Sequence, residues 1–184
     1  MQTKRRRVFG RAPERQTGVT MTELMIVVAI AGILAAITAP SFSSFINNTR
    51  LSTTMTQLSS DLNRARVDAI KRNSWMLICV RNAAGTNCGT GTDWKNGWLV
   101  CHASTSTATA CDVATVADPN PIINQHQAIN TKLTLIGSAA LIRFNPNGTQ
   151  GTGAAATLTL CCKSNSASTT SIASIAGTGN ISIQ

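Results

Sequence analysis

The strongest constraint in this chain is one uninterrupted apolar stretch, Leu24 to Ala39, with an acid at its mouth. These 16 residues carry no charge, and Glu23 immediately precedes them. As a helix they extend about 24 Å at 1.5 Å per residue, just short of the roughly 30 Å hydrocarbon core of a bilayer. Met21 and Phe42 are apolar residues that can lengthen the span. Gly32 and Pro40 weaken a helix in water but are tolerated in a membrane, and Pro40 predicts a bend because it lacks an amide donor. Glu23 is the anomaly. A carboxylate entering a bilayer costs about 2.5–3.5 kcal/mol at helix centre, so the position calls for a partner.

Charge supports an exported chain. The formal net charge is +9, but residues 1–18 hold six cations (Lys4, Arg5, Arg6, Arg7, Arg11 and Arg15) against Glu14, a balance of +5. From residue 82 onward four cations face three acids, leaving +1. The basicity therefore belongs mainly to the leader, where cations hold a segment on the cytoplasmic side. Three ordinary readings of the leader fit poorly. A secretory cut after Ala39 places Pro40 beyond the scissile bond and Ile37 at the third position before it. A twin-arginine signal is hinted at by Arg6-Arg7-Val8-Phe9, but the apolar core starts far downstream. A plain signal anchor leaves Glu23 unexplained.

Gly18-Val19-Thr20-Met21-Thr22-Glu23 resembles the processing site of the type IV prepilins: a basic leader ending in glycine, a new N-terminus, and glutamate five residues after the cut. Pro40 matches that family's helix-kinking proline. Val19 and Thr22 depart mildly from the commoner phenylalanine and aliphatic residue. The resemblance implies cleavage between Gly18 and Val19 by the prepilin peptidase and N-methylation of Val19 by the same enzyme. It also implies assembly with other pilins or pseudopilins through the helix, from an inner membrane anchor with a periplasmic head. Glu23 would then dock against a neighbour's charged amine, where opposite charges in low dielectric attract strongly.

Downstream, the period changes. Leu51, Met55, Leu58, Leu62, Ala65 and Ala69 recur at steps of four and three, a helix stripe that predicts packing on a sheet. Arg64–Asp68 and Asp68–Arg72 are i,i+4 pairs, and Arg50, Arg64, Arg66, Lys71 and Arg72 are expected on a solvated face. The remainder alternates as strands at 74–81, 96–103, 121–129, 132–138, 140–146, 156–162, 171–177 and 180–184, divided by Gly, Asn and Pro clusters. Residues 104–120 form a loop without periodicity, and 145–148 (NPNG) is a turn by composition. The fold class expected is α+β: a leader over 1–18, an N-terminal helix over 19–73 with its assembly part at about 19–42, and an antiparallel β-sheet head over 74–184.

The head sharpens the resemblance. A GW-x-V strand (Gly97, Trp98, Val100), an F-x-P-x-G turn (Phe144, Pro146, Gly148) and a short C-terminal strand after a glycine turn are similar to the GspH/FimT group of minor pilins and pseudopilins. Trp98 is expected in the core. His102 and His126 are the chain's two histidines; neither sits in a nucleophile motif, and no Walker loop or zinc signature appears. The expectation is a filament subunit, not an enzyme, with no cofactor or metal. Some FimT-type relatives take up DNA through a Gly-Arg-x-Arg motif. The matching positions here are Gly179, Asn180, Ile181 and Ser182, so both arginines are missing. DNA binding is the runner-up, carried by Arg143, Lys163 and the helix cations.

Six cysteines all follow the apolar segment. Without C-x-x-C pairs or a His cluster they argue against zinc and for disulfides in an oxidising compartment. Six cysteines allow 15 connectivities. The short loops favour Cys79–Cys88 and Cys101–Cys111. The leftover Cys161 and Cys162 are neighbours pointing to opposite faces of a strand, where a vicinal bridge needs an unusual backbone, so one or both are expected as free thiols.

Overall fold

A computed structural model describes residues 18–115, 118–151, 155–162 and 169–184, with backbone only at 38–41. Lys163 and most of the leader lie outside the described residues. Among the described residues one helix, α1 (Met21–Arg72), is followed by eight strands: β1 (Trp75–Val80), β2 (Trp98–Ala103), β3 (Ile122–His126), β4 (Leu133–Gly137), β5 (Leu141–Phe144), β6 (Ala156–Cys162), β7 (Thr170–Ile175) and β8 (Ile181–Ile183). The chain divides after Phe42 into two units, each treated separately below.

Both helix ends have a local chemical cause. Thr20 caps the start: its Oγ1 accepts from the Glu23 amide at 3.3 Å, the first half of a capping box in which a Thr and a Glu three residues later serve the orphan amides. At the other end Asn73 adopts φ 50°. The Ser74 amide donates to Ala69 O at 3.1 Å and the Asn73 amide to Ile70 O at 3.3 Å. These two bonds make a Schellman stop, with asparagine taking the left-handed position. Lys71 and Arg72 in the last turn complement the negative end of the helix dipole.

The head contains two four-stranded sheets, where the sequence suggested one. The first has order β3-β2-β1-β5 and the second β4-β6-β7-β8, with antiparallel pairing throughout. Alternation shows which strands have a buried face but is silent on which strands join. The helix stripe Leu51, Met55, Leu58, Leu62, Ala65 and Ala69 is buried in one core. It meets Met76, Ile78, Trp98, Val100, Ile142 and Phe144 of the first sheet and Leu133, Leu135, Leu158, Leu160 and Ile175 of the second. Each fully buried Leu or Ile contributes about 1.5–3 kcal/mol. Leu77, Cys79, Leu99, Cys101 and Ala103 point to the opposite face of the first sheet and form a second cluster with Cys111.

Candidate functional site

In the first unit, every described side chain from residue 18 to 37 is exposed. Val19 is 70% exposed, and Leu24, Ile26, Val27, Ile30, Ile33, Leu34 and Ile37 are exposed as well. An apolar helix wet on all sides is incomplete by itself. Among the described residues no single helix is long and apolar enough to cross a membrane; Met21–Ile37 and Phe42–Arg72 meet that measure only together. Glu23 is exposed at the third helical position and makes no salt bridge among the described residues. The sequence reading missed the Thr20 cap, although Thr-x-x-Glu before an apolar run is its signature. Pro40 lies within the helical backbone.

The second unit fastens its helix to the sheets with polar pins. Buried Asp61 accepts from Trp98 Nε1 at 2.8 Å and from Asn124 Nδ2 at 2.6 Å. His126 stacks on Trp98 with ring centroids 3.9 Å apart. Its Nδ1 lies 2.7 Å from Gln127 O, to which it donates, and its Nε2 lies 2.9 Å from Gln57 Oε1. Gly97, at φ +86°, passes beneath this histidine: a Cβ there would sit 2.1 Å from His126 O. Trp98, Gly97 and His126 therefore serve the fold.

Arg66 is not on a solvated face as the sequence suggested. Its Nε donates to Gly148 O at 2.9 Å and its Nη2 to Thr178 O at 3.4 Å. One guanidinium thus holds the 145–148 turn and the β7–β8 turn together. A Cβ on Gly179 would meet Gly148 O at 2.0 Å, which explains glycine there. Asp68 pairs with Arg64 at 3.8 Å.

Arg143 also departs from its expected role. It is 8% exposed, and its Nη2 donates to Ala108 O of the loop after β2. Burial lowers its pKa from the ordinary value. A phosphate cannot reach a guanidinium that its own chain covers, so Arg143 is withdrawn as a DNA contact. Asn180, just before β8, and Ser182 within it are exposed, and β8 is an edge strand.

The cysteines are joined as Cys79–Cys88 and Cys101–Cys111, with Cα separations of 5.5 Å in both. Cys161 and Cys162 are free and half-buried. Cys161 Sγ lies 2.8 Å from Thr134 Oγ1, while Cys162 packs against the main core. Asn87 braces the two bridged loops, its Oδ1 accepting from the amides of Cys88 (2.7 Å) and Cys111 (2.9 Å).

A cavity of about 420 Å³ lies between the turn before β2 and the loop before β4, lined by Asp93, Lys95, Asn96, Ile129, Asn130 and Thr134. Lys95 Nζ pairs with Asp93 at 3.0 Å, and this ammonium holds the Asp93 carboxyl below the usual range.

Comparison with known proteins follows the same division. Residues 54–179, about two thirds of the chain, match the family described as type II transport protein GspH. The chain belongs to the GspH family. Residues 14–39 match the prokaryotic N-terminal methylation motif. Two crystal structures of the Pseudomonas aeruginosa (strain PAO1) type IV minor pilin FimU share the fold at 17% identity. One has TM-score 0.55, covering 76% of this chain and 92% of that one. The other has TM-score 0.52, with 72% and 91% covered. Curated proteins give no match. The GspH-family chain is thus a type IV pilin-like protein: a long helix carrying a methylation motif, then an antiparallel β head. Its family and fold are those of structural subunits rather than enzymes.

Proposed function

We propose that this GspH-family protein is a minor pilin or pseudopilin, cut between Gly18 and Val19, methylated on the Val19 amine, and assembled through the first part of α1. Its destination is an envelope filament of the type IV pilus or type II secretion class, where it acts as an initiating or tip subunit. Residues 1–18 are the leader, 19–73 the helix and 74–184 the periplasmic head. The inner membrane holds the helix before assembly, and the prepilin peptidase supplies both processing steps.

The observation that supports this reading is the exposed apolar helix that starts at Met21, inside the methylation motif matched over residues 14–39. Such a surface is stable only in lipid or against other helices. Removing the leader exposes a new amine one residue before the Thr20 cap, and Glu23 lies one turn further on. In a bundle of parallel helices, a neighbour's amine approaches that carboxylate where water is scarce, and each charge offsets the other's desolvation.

Mass spectrometry of the mature N-terminus tests the processing. The expected species begins at methylated Val19; a start at Pro40, or an intact leader in assembled filaments, refutes it. Glu23→Gln is expected to be cleaved normally and incorporated poorly, and normal incorporation would remove the charge-pairing step.

A further inference from the structure

The outer face of the first sheet gathers more than two bridges. The Sγ atoms of Cys79, Cys88, Cys101 and Cys111 all lie within 4.8 Å of one another, and the non-bonded pair Cys88 and Cys111 is 3.8 Å apart. A tetrahedral zinc with Zn–S bonds of about 2.3 Å spaces its sulfurs about 3.8 Å apart. Cys79, Cys101 and Cys111 are buried, and Cys88 is half-buried. We propose that the reduced head holds one thiophilic d¹⁰ cation, Zn²⁺ as the type case, on Cys79, Cys88, Cys101 and Cys111, and that oxidation to the two disulfides releases it.

Two observations independent of the bridges support this site. Asn87 Oδ1 ties the Cys88 and Cys111 amides together. Ser104 adds a second brace, its amide and hydroxyl both donating to Asp112 Oδ1 at 3.0 Å. None of these bonds involves a sulfur, so breaking the S–S bonds removes none of them directly. The second observation is charge. Leu77 has Cys101 as its partner on one side and Arg143 on the other, which places a buried guanidinium on the same face as the sulfurs. Its Nε has no hydrogen-bond partner among the described residues. A buried, incompletely satisfied cation favours a tetrathiolate of net charge −2.

The chemistry balances. Binding deprotonates four thiols and releases four protons. Two disulfides of an exchange partner then each accept two electrons and two protons; two protein S–S bonds form, four partner thiols are produced, and Zn²⁺ leaves. The cation would keep these four sulfurs together and away from Cys161 and Cys162, cutting the pairings open to six thiols.

The test uses the full chain in detergent, reduced by a phosphine without oxygen and stripped of metal. Co²⁺ is added as the spectroscopic probe and then displaced by Zn²⁺. The expected result is one Co²⁺ per chain with thiolate charge-transfer absorption and tetrahedral d–d bands, bleached by one equivalent of Zn²⁺ and absent from the oxidised protein. Cys161→Ser with Cys162→Ser should keep the signal, Cys88→Ser with Cys111→Ser should abolish it, and Asn87→Ala should weaken binding about tenfold or more. If the reduced chain loses its β circular dichroism, one equivalent of Zn²⁺ should restore it. The proposal is overturned if the reduced wild type binds no cobalt, or if the signal survives loss of Cys88 and Cys111 or disappears with Cys161 and Cys162.

Discussion

The two sheets of the head bury their residues differently. In the first, β1 and β2 are buried almost end to end, because the helix covers one face and the Cys111 loop the other. In the second, β4 and β6 alternate, leaving Ile136 54% exposed while Leu135 beside it is fully buried. A helix is a rigid, self-satisfied cover. A Thr- and Ala-rich loop has little apolar surface and no hydrogen-bonded frame, so it must be fastened. That is the task of the two bridges, Asn87 and Arg143, and the second sheet needs none of them.

The largest effect should come from undoing this fastening. Cys88→Ala or Cys111→Ala is expected to cost about 2–5 kcal/mol in denaturant unfolding of the oxidised head. Cys161→Ala, on the second sheet, should cost far less. Next, the same operation on two outer faces should give unequal results. Leu99→Ala is expected to lose about 2–5 kcal/mol and Ile136→Ala under about 1 kcal/mol; equal losses would mean that the loop does not cover the first sheet. Asp61→Ala strands the Trp98 and Asn124 donors and should cost about 1–3 kcal/mol, with loss of Trp98 fluorescence anisotropy if the pin also orders the ring.

Smaller effects probe the surface. Arg143→Met should leave any binding of duplex DNA unchanged in a shift assay, since that cation is covered, whereas Asn180→Arg with Ser182→Arg should strengthen binding, with a steeper salt dependence. The smallest concerns Asp93. Its folded pKa is depressed, chiefly by its hydrogen bond to Lys95, so it contributes stability present above the unfolded value and lost as pH falls through the folded one. Exposure keeps this small. Asp93→Asn should lower the melting temperature slightly at neutral pH and flatten the acid limb of its pH profile, the two proteins converging at pH below the folded value.

The sequence carried the eight strands and the helix stripe because each has a periodic burial signal. It carried much less about partners. Arg66 looked solvated because its partners, Gly148 O and Thr178 O, lie 82 and 112 positions away and are backbone atoms without a side-chain signature. Arg143 looked available because a charged residue in a strand usually faces water; that a loop covers it depends on tertiary closure. The division into two sheets was equally hidden, since alternation records a face and not a neighbour. Gly97, Gly148 and Gly179 were visible as motif letters, but what an added Cβ would strike at each, His126 O, the Ile70 side chain and Gly148 O in turn, is set only in three dimensions.

One consequence lies in how the strands are dealt between the sheets. The first three belong to one sheet, β4 to the other, β5 returns to the first, and the rest complete the second. Neither sheet is a continuous piece of chain, so neither can form and wait for its companion. β5 cannot dock beside β1 without carrying β4 toward β6. The head should therefore fold slowly and as one cooperative unit, its long-range pairings closing together. Hydrogen exchange from β1 and from β6 should report a common opening free energy, although one sheet is sealed on both faces and the other on one.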